Sequence, residues 1–176
     1  MYSDSPDKKV SGLTLIELMV VVAIVGIISG TIISLAHSAR SSGIQYISKR
    51  VQGSLVLARS EAIKRGRSVS LCRYQGGHSC ANGSNWHDGW VVFIDINNNN
   101  RIDASEILKA YDSIPDGFNI RWSQGESALI FDRNGRTNVP GTFSVCNSGL
   151  EEGPVQVLSV SVGGQIKQNS AKGICR

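Results

Sequence analysis

The sequence predicts an α+β fold in which one long helix near the amino terminus packs on an antiparallel β-sheet domain. Three observations predict it. An apolar run of 24 residues, Leu13 to Ala36, lies near the start of the 176-residue chain. A stripe of apolar residues at helical spacing follows that run, and short apolar segments separated by Gly, Asn and Asp turns fill the remainder.

The run is long enough to cross a bilayer, because about 20 residues rising 1.5 Å each span the hydrocarbon core. Its fifth residue is Glu17, and an acidic side chain near a bilayer centre costs roughly 2.5 to 3.5 kcal/mol on insertion scales, so the carboxylate calls for a partner. A cleaved secretory signal fits poorly: its cleavage site follows a shorter apolar core, whereas here the small residue, Gly12, precedes the core. Cutting at Gly12 leaves the apolar helix on the product. Lys8 and Lys9 directly before the run hold that end in the cytoplasm and place everything after about Ala36 outside it.

A short basic leader ending in Gly12, then Leu13, then Thr14-Leu15-Ile16-Glu17-Leu18 and an apolar helix resembles the type IV prepilin signature. That resemblance implies a membrane prepilin peptidase and N-methyltransferase that cuts between Gly12 and Leu13 and methylates Leu13. It also implies that Glu17 offers a countercharge to a subunit's terminal ammonium during assembly. Leu13 departs from the usual Phe at the first mature position, but the site stays apolar. Removing the leader takes away Asp4, Asp7, Lys8 and Lys9, so the net charge of +4 is unchanged.

Ile44, Ile47, Val51, Leu55, Ala58 and Ala62 recur three and four apart, the stripe of an amphipathic helix continuing from the apolar run. Gly66 suits a left-handed helix end, with Lys64 and Arg65 at the negative end of the helix dipole. Major pilins usually carry a Pro that breaks the span; here there are Gly26 and Gly30, which ease close helix packing.

Short strands are predicted over 68–74, 90–95, 106–111, 118–122, 128–131, 142–146 and 155–162, with turns at Asp116-Gly117, Asn134-Gly135 and Gly163-Gly164. The run Trp86-His87-Asp88-Gly89-Trp90-Val91-Val92-Phe93 into Asp95-Ile96-Asn97-Asn98-Asn99, and then Phe131-Asp132-Arg133-Asn134-Gly135-Arg136, resembles the FimT/FimU/GspH-like branch of minor pilins and pseudopilins.

Four cysteines agree with an oxidising compartment and allow three pairings. Cys72 with Cys80 closes a short loop, and Cys146 with Cys175 ties the last strands to the carboxyl end. The second pair resembles the carboxy-terminal loop of many pilins. Cys72, His78, Cys80 and His87 as a zinc set have irregular spacing and the wrong redox setting.

Asp95, Asn97, Asn99, Asp103 and Glu106 put oxygens at positions 1, 3, 5, 9 and 12 of a calcium loop. Against calcium, Asn100 stands where Gly is usual, two ligands are neutral and the flanks read as strands. The alternative is a long polar turn, since Asn tolerates left-handed backbone. No cofactor is otherwise expected.

Arg40, Lys49, Arg50, Arg59, Lys64, Arg65, Arg67 and Arg73 make a basic first third, and Lys167, Lys172 and Arg176 a basic tail. Such an excess can bind DNA phosphates. Some FimT-like proteins bind DNA through paired arginines near the carboxyl end; this tail reads Gly164-Gln165-Ile166-Lys167-Gln168 and lacks them, so DNA is not favoured. His37, His78 and His87 sit in no nucleophile or metal arrangement, and no enzyme is predicted.

The expectation is therefore a minor type IV pilin. Its parts are a cleaved leader (1–12), a transmembrane assembly segment (13–36) and a periplasmic or extracellular domain (37–176). It would begin as a single-pass protein of the bacterial inner membrane, with its partners the peptidase, an inner-membrane assembly platform and other pilin or pseudopilin subunits. It would end in a pilus serving twitching or adhesion. The alternatives are a type II secretion pseudopilin of the GspH type and a DNA-binding pilin for natural transformation.

Overall fold

The computed structural model describes residues 14–125, 128–137, 139–150 and 152–174, with side chains outside residues 29–41. Its first element is helix α1, Leu15–Arg65, which runs through both compact units of the chain, one ending at Ala39 and the other covering Arg40–Arg176. Thr14 starts the helix: its carbonyl accepts the Glu17 N–H at 3.1 Å and the Leu18 N–H at 3.2 Å. Among the described residues no helix is long and apolar enough to cross a membrane. The expected span, 13–36, falls only partly within the described side chains. Residues 14–28 are too few for the roughly 20 that a crossing requires.

In the second unit the predicted stripe is buried: Ile44, Ile47, Val51, Leu55, Ala58 and Ala62 are all at most 2% exposed. Burying an Ile, Leu or Val side chain contributes about 1.5 to 3 kcal/mol, so this face outweighs any intrinsic helix preference. At Gly43 the helix packs tightly on Phe118, where a Cβ would lie 2.5 Å from the ring. It ends as expected at Gly66, in left-handed backbone at φ 62°. The Gly66 N–H donates to Ile63 O and the Arg67 N–H to Ala62 O, the paired bonds of a Schellman end.

Among the described residues eight antiparallel strands follow, in two sheets rather than the one expected. The first sheet has the order β3-β2-β1-β5, from β1 (Val69–Arg73), β2 (Gly89–Phe93), β3 (Ile107–Asp112) and β5 (Ala128–Phe131). The second, β4-β6-β7-β8, is built from β4 (Phe118–Trp122), β6 (Gly141–Asn147), β7 (Gly153–Val160) and β8 (Ile166–Gly173). Seven of these match the predicted segments within two residues. β8 was not expected: its sequence is polar and both its faces are largely exposed.

The stripe of α1 shares one core with residues of both sheets, among them Leu71, Trp90 and Phe131 from the first and Ile120, Phe143 and Leu158 from the second. Aromatic rings lock it. Trp86 meets Phe143 edge-on at 4.9 Å, and Trp122 lies 4.4 Å from the same ring. Arg59 adds a polar tie from the helix to a turn beyond each sheet, its Nε donating to Gly135 O at 3.0 Å and its Nη2 to Gly163 O at 3.2 Å.

Leu55→Ala, at a fully buried position, is expected to lower stability by about 2 to 5 kcal/mol in urea denaturation. Val56→Ala, half exposed on the neighbouring face, should stay within about 0.5 kcal/mol.

Candidate functional site

The sequence points to the start of α1 first. Gly12 and Leu13, the expected cleavage pair, lie outside the described residues. Glu17 lies in the first turn, where the positive end of the helix dipole favours a carboxylate. Thr14 Oγ1 accepts the Glu17 N–H at 3.4 Å, so the two residues are spaced as a helix cap and its third residue. Around Glu17 the surface is apolar: Leu15, Ile16, Leu18 and Met19 are each more than half exposed. A carboxylate set in an uncovered apolar surface can serve as a countercharge when a partner covers that surface.

Cys72 and Cys80 form a disulfide, as expected, with Cα atoms 5.7 Å apart. The zinc alternative is thereby overturned, because both sulfurs are engaged in that bond. Cys146 is also disulfide-bonded, and Cys175 lies outside the described residues.

Next comes the loop with calcium-like spacing. Asp95 Oδ1 accepts the Asn99 N–H at 3.1 Å and its Oδ2 accepts the Asn100 N–H at 2.9 Å. The amides of Asn97 and Asn99 each donate to Asp103 Oδ2 at 3.0 Å, which holds the Asp103 carboxyl below its usual range. Glu106, 3% exposed, accepts the Ile96 N–H at 2.7 Å on Oε1 and the Asp103 N–H at 3.4 Å on Oε2. Asn98 and Asn100 take the left-handed backbone that Asn tolerates. The five oxygen-bearing side chains thus close the turn on themselves. Among the described residues no group of three or more His, Cys, Asp or Glu is placed to hold a metal ion.

The basic residues are dispersed. Lys64 and Arg65 pair with Glu61, Arg67 donates to Ile96 O, and Arg73 donates to Asn82 O and to Asp88 Oδ2. Gln75 also donates to Asp88, and with Arg73 it keeps that carboxyl below its usual range. Lys167 and Lys172 are exposed on β8, five residues apart, so strand alternation turns them to opposite faces about 17 Å apart. Arg176 lies outside the described residues. His87 sits 3.7 Å from Asp88 and 3.8 Å from Asp116.

Sequence reasoning counted Arg50 among the basic residues and missed its aromatic surroundings. Its guanidinium lies 5.2 Å from the Trp90 ring centroid and 6.0 Å from those of Tyr46 and Tyr111. Trp90 and Tyr111 stack at 5.0 Å, and Lys109 Nζ is 5.3 Å from the Tyr111 ring. The clue in the sequence was two aromatics on strands that turned out to be neighbours.

Residues 48–164 match the family model described as Type II transport protein GspH, and residues 7–33 match the prokaryotic N-terminal methylation motif. The chain matches no curated protein sequence. Its fold is similar to that of the type IV minor pilin FimU of Pseudomonas aeruginosa. In the P65 crystal form FimU is 22% identical over 71% of this chain and 91% of its own, with a TM-score of 0.54. It is similar also to EpsH, a minor pseudopilin of the Type 2 Secretion System of Vibrio cholerae. EpsH is 15% identical over 74% of this chain and 96% of its own, with a TM-score of 0.52. At these identities the likeness is one of fold.

Glu106→Ala is expected to lower the thermal midpoint of the domain by removing the carboxylate that accepts the part-buried N–H groups of Ile96 and Asp103, at about 1 to 3 kcal/mol. Chelator added to the unmutated protein should leave the midpoint unchanged; a drop on chelation would assign a cation to the loop.

Backbone N–H groups of Arg136 and Asn134 hold the Asp132 carboxyl below its usual range. A carboxyl whose folded value is depressed stabilises the fold above its unfolded value and loses that contribution as pH falls through the folded one. Stability should therefore decline from about pH 4 downward, and less so in Asp132→Asn, measured by urea midpoints across that range.

Proposed function

The chain belongs to the GspH family, and from that premise we propose that it acts as a minor subunit of a type IV pilus. The family and the methylation motif make it a minor pilin or pseudopilin, a subunit that is processed and assembled with others of its kind. The observation that carries the proposal is Glu17, a carboxylate in the exposed apolar first turn of α1, inside the residues matched to the methylation motif.

In this reading prepilin peptidase cuts after Gly12 and methylates Leu13. Residues 13–36 hold the product in the inner membrane, with the domain from 37 onward in the periplasm. The assembly platform then passes it into a filament. There the Glu17 carboxylate neutralises a terminal ammonium, and the apolar residues around it are buried by neighbouring helices. Burial of that surface supplies the bulk of the association energy, and the ion pair sets the axial register, since a charge in apolar surroundings tolerates only a paired position. The disulfides at Cys72–Cys80 and Cys146 suit a subunit that leaves the reducing cytoplasm for an external filament.

The second reading, a pseudopilin of type II secretion, is favoured by the family description and by the shared fold with EpsH. A DNA-capturing pilin, the third, has less support, because Lys167 and Lys172 stand on opposite faces of β8.

Deleting the gene is expected to abolish surface pili and twitching while secretion of exported enzymes continues; the reverse pattern would establish the pseudopilin. In a complemented strain, Glu17→Ala should be cleaved normally yet fall by about tenfold or more in sheared filaments, the loss expected when a desolvated ion pair is left half made. Incorporation at the unmutated level would remove the countercharge role.

A further inference from the structure

The two sheets leave four strand edges, and they are not equivalent. Along β4, residues 84–86 close the edge: the Trp86 N–H donates to Ile120 O at 2.8 Å and the Trp122 N–H to Ser84 O at 2.9 Å. On the first sheet, Thr137 bridges to Phe131 at the end of β5. β8 is open but carries polar side chains on both faces and a lysine near each end, a usual way of discouraging strand addition.

β3 is different. It is paired along one edge only, and its register slip against β2 is confined to Phe93 and Ile107. Lys109, Ala110 and Tyr111 face Val92, Val91 and Trp90 in regular order. Side chains alternate along the strand, so Lys109 and Tyr111 share the face of Trp90 and Val92, which line the main core, and Ala110 shares the opposite face with Val91.

A hollow lies at the strand on each of these faces. Tyr46, Arg50 and Lys109 line one and Tyr74, Gln75 and Asp88 the other, and the strand from Ala110 to Asp112 borders both. Arg50 and Lys109 rest against aromatic rings, Arg50 Nη2 donates to the Asp112 carbonyl at 3.1 Å, and among the described residues neither cation has a carboxylate partner. Across the strand the charge has the other sign. Asp88 there is already satisfied by Arg73 and Gln75.

A regular edge with no second partner strand, and a hollow to each side of it, is the geometry in which an added strand gains main-chain hydrogen bonds and reads its own side chains in two rows; at Asp112 such a strand would replace the Arg50 side chain as the donor to the carbonyl. We propose that β3 accepts an extended segment of a neighbouring filament subunit. Acidic side chains at every second position would face Arg50 and Lys109, and hydroxyl or amide side chains would face Gln75 and Asp112. The two cations, which have no carboxylate partner among the described residues, attract the acidic row, and the exposed Asp112 carboxylate repels it from the other face, so the charge pattern fixes which way round the segment lies. The proposal takes only the source of the segment from the filament reading; the edge and its two faces stand apart from it.

The probe is a capped peptide of about six residues, the common strand length, alternating glutamate and threonine. It is titrated into isotope-labelled full-length protein in detergent micelles. Backbone amides of β3 are expected to shift and to exchange about tenfold more slowly with solvent, while those of β8 stay unchanged. Lys109→Glu, at an exposed position, should weaken binding by about tenfold at low salt, Lys109→Gln should weaken it less, and a proline in the middle of the peptide should abolish it.

Unchanged exchange in β3, or equal binding of a lysine–threonine peptide, would overturn the proposal. So would oligothymidylate that shifts Tyr46 and Tyr111 without protecting β3 amides, which would assign the aromatic hollow to nucleic acid. Loss of pili in the gene deletion alongside unprotected β3 amides would sink this proposal and leave the pilus reading standing; protected amides in a protein whose deletion spares pili would do the converse.

Discussion

Everything in the folded domain depends on one face of α1 being dry. Ile44, Ile47, Val51, Leu55, Ala58 and Ala62 lie in the core to which both sheets contribute, so neither sheet has a complete interior without the helix. Ala58 and Ala62 are fully buried toward the end of the stripe, and at its beginning the missing side chain of Gly43 makes room for the Phe118 ring. Arg59 then fixes the rotation of the helix by reaching the carbonyls of two turns distant in sequence from each other. A helix rotated by one residue would lose the stripe, the close approach and both hydrogen bonds together. That coupling is the physical source of a single packed arrangement.

The same element changes its chemistry along its length. From Leu15 to Ile28 large apolar residues are exposed, with Glu17 the single ionisable group among them. From Ile44 onward apolar residues keep to one face and polar or basic ones occupy the rest. A subunit built this way carries a domain that satisfies itself and a segment that does not. In the proposed subunit that exposed apolar surface is what lipid and then neighbouring helices would cover.

Much of this was legible in the sequence, and the parts that were not share a cause. The stripe, the Gly66 end and seven strands follow from local periodicity, which one chain displays without reference to anything distant. The Cys72–Cys80 pairing was favoured from the short loop it closes. The division into two sheets depends on which strands pair, a non-local matter on which alternation is silent. β8 was missed because its burial pattern is that of a strand wet on both faces, leaving no alternation to detect. In the Asp95–Glu106 loop the sequence displayed the oxygens but not their occupation by the loop's own N–H groups. Arg50 read as one more surface charge until β2 and β3 brought Trp90 and Tyr111 beneath it.

All three tryptophans, Trp86, Trp90 and Trp122, lie in the core between helix and sheets, each 1% exposed, and α1 contains none. Their indoles come from the first sheet, the second sheet and the loop that closes β4, so a loss of docking anywhere in the domain reaches at least one of them. The protein therefore carries its own optical gauge. Emission from the indoles reports the integrity of the domain without a label, and because the amino-terminal segment is free of tryptophan, that light is blind to whether the segment lies in lipid, detergent or a fibre. Folding and assembly, entangled in one helix, can be watched separately.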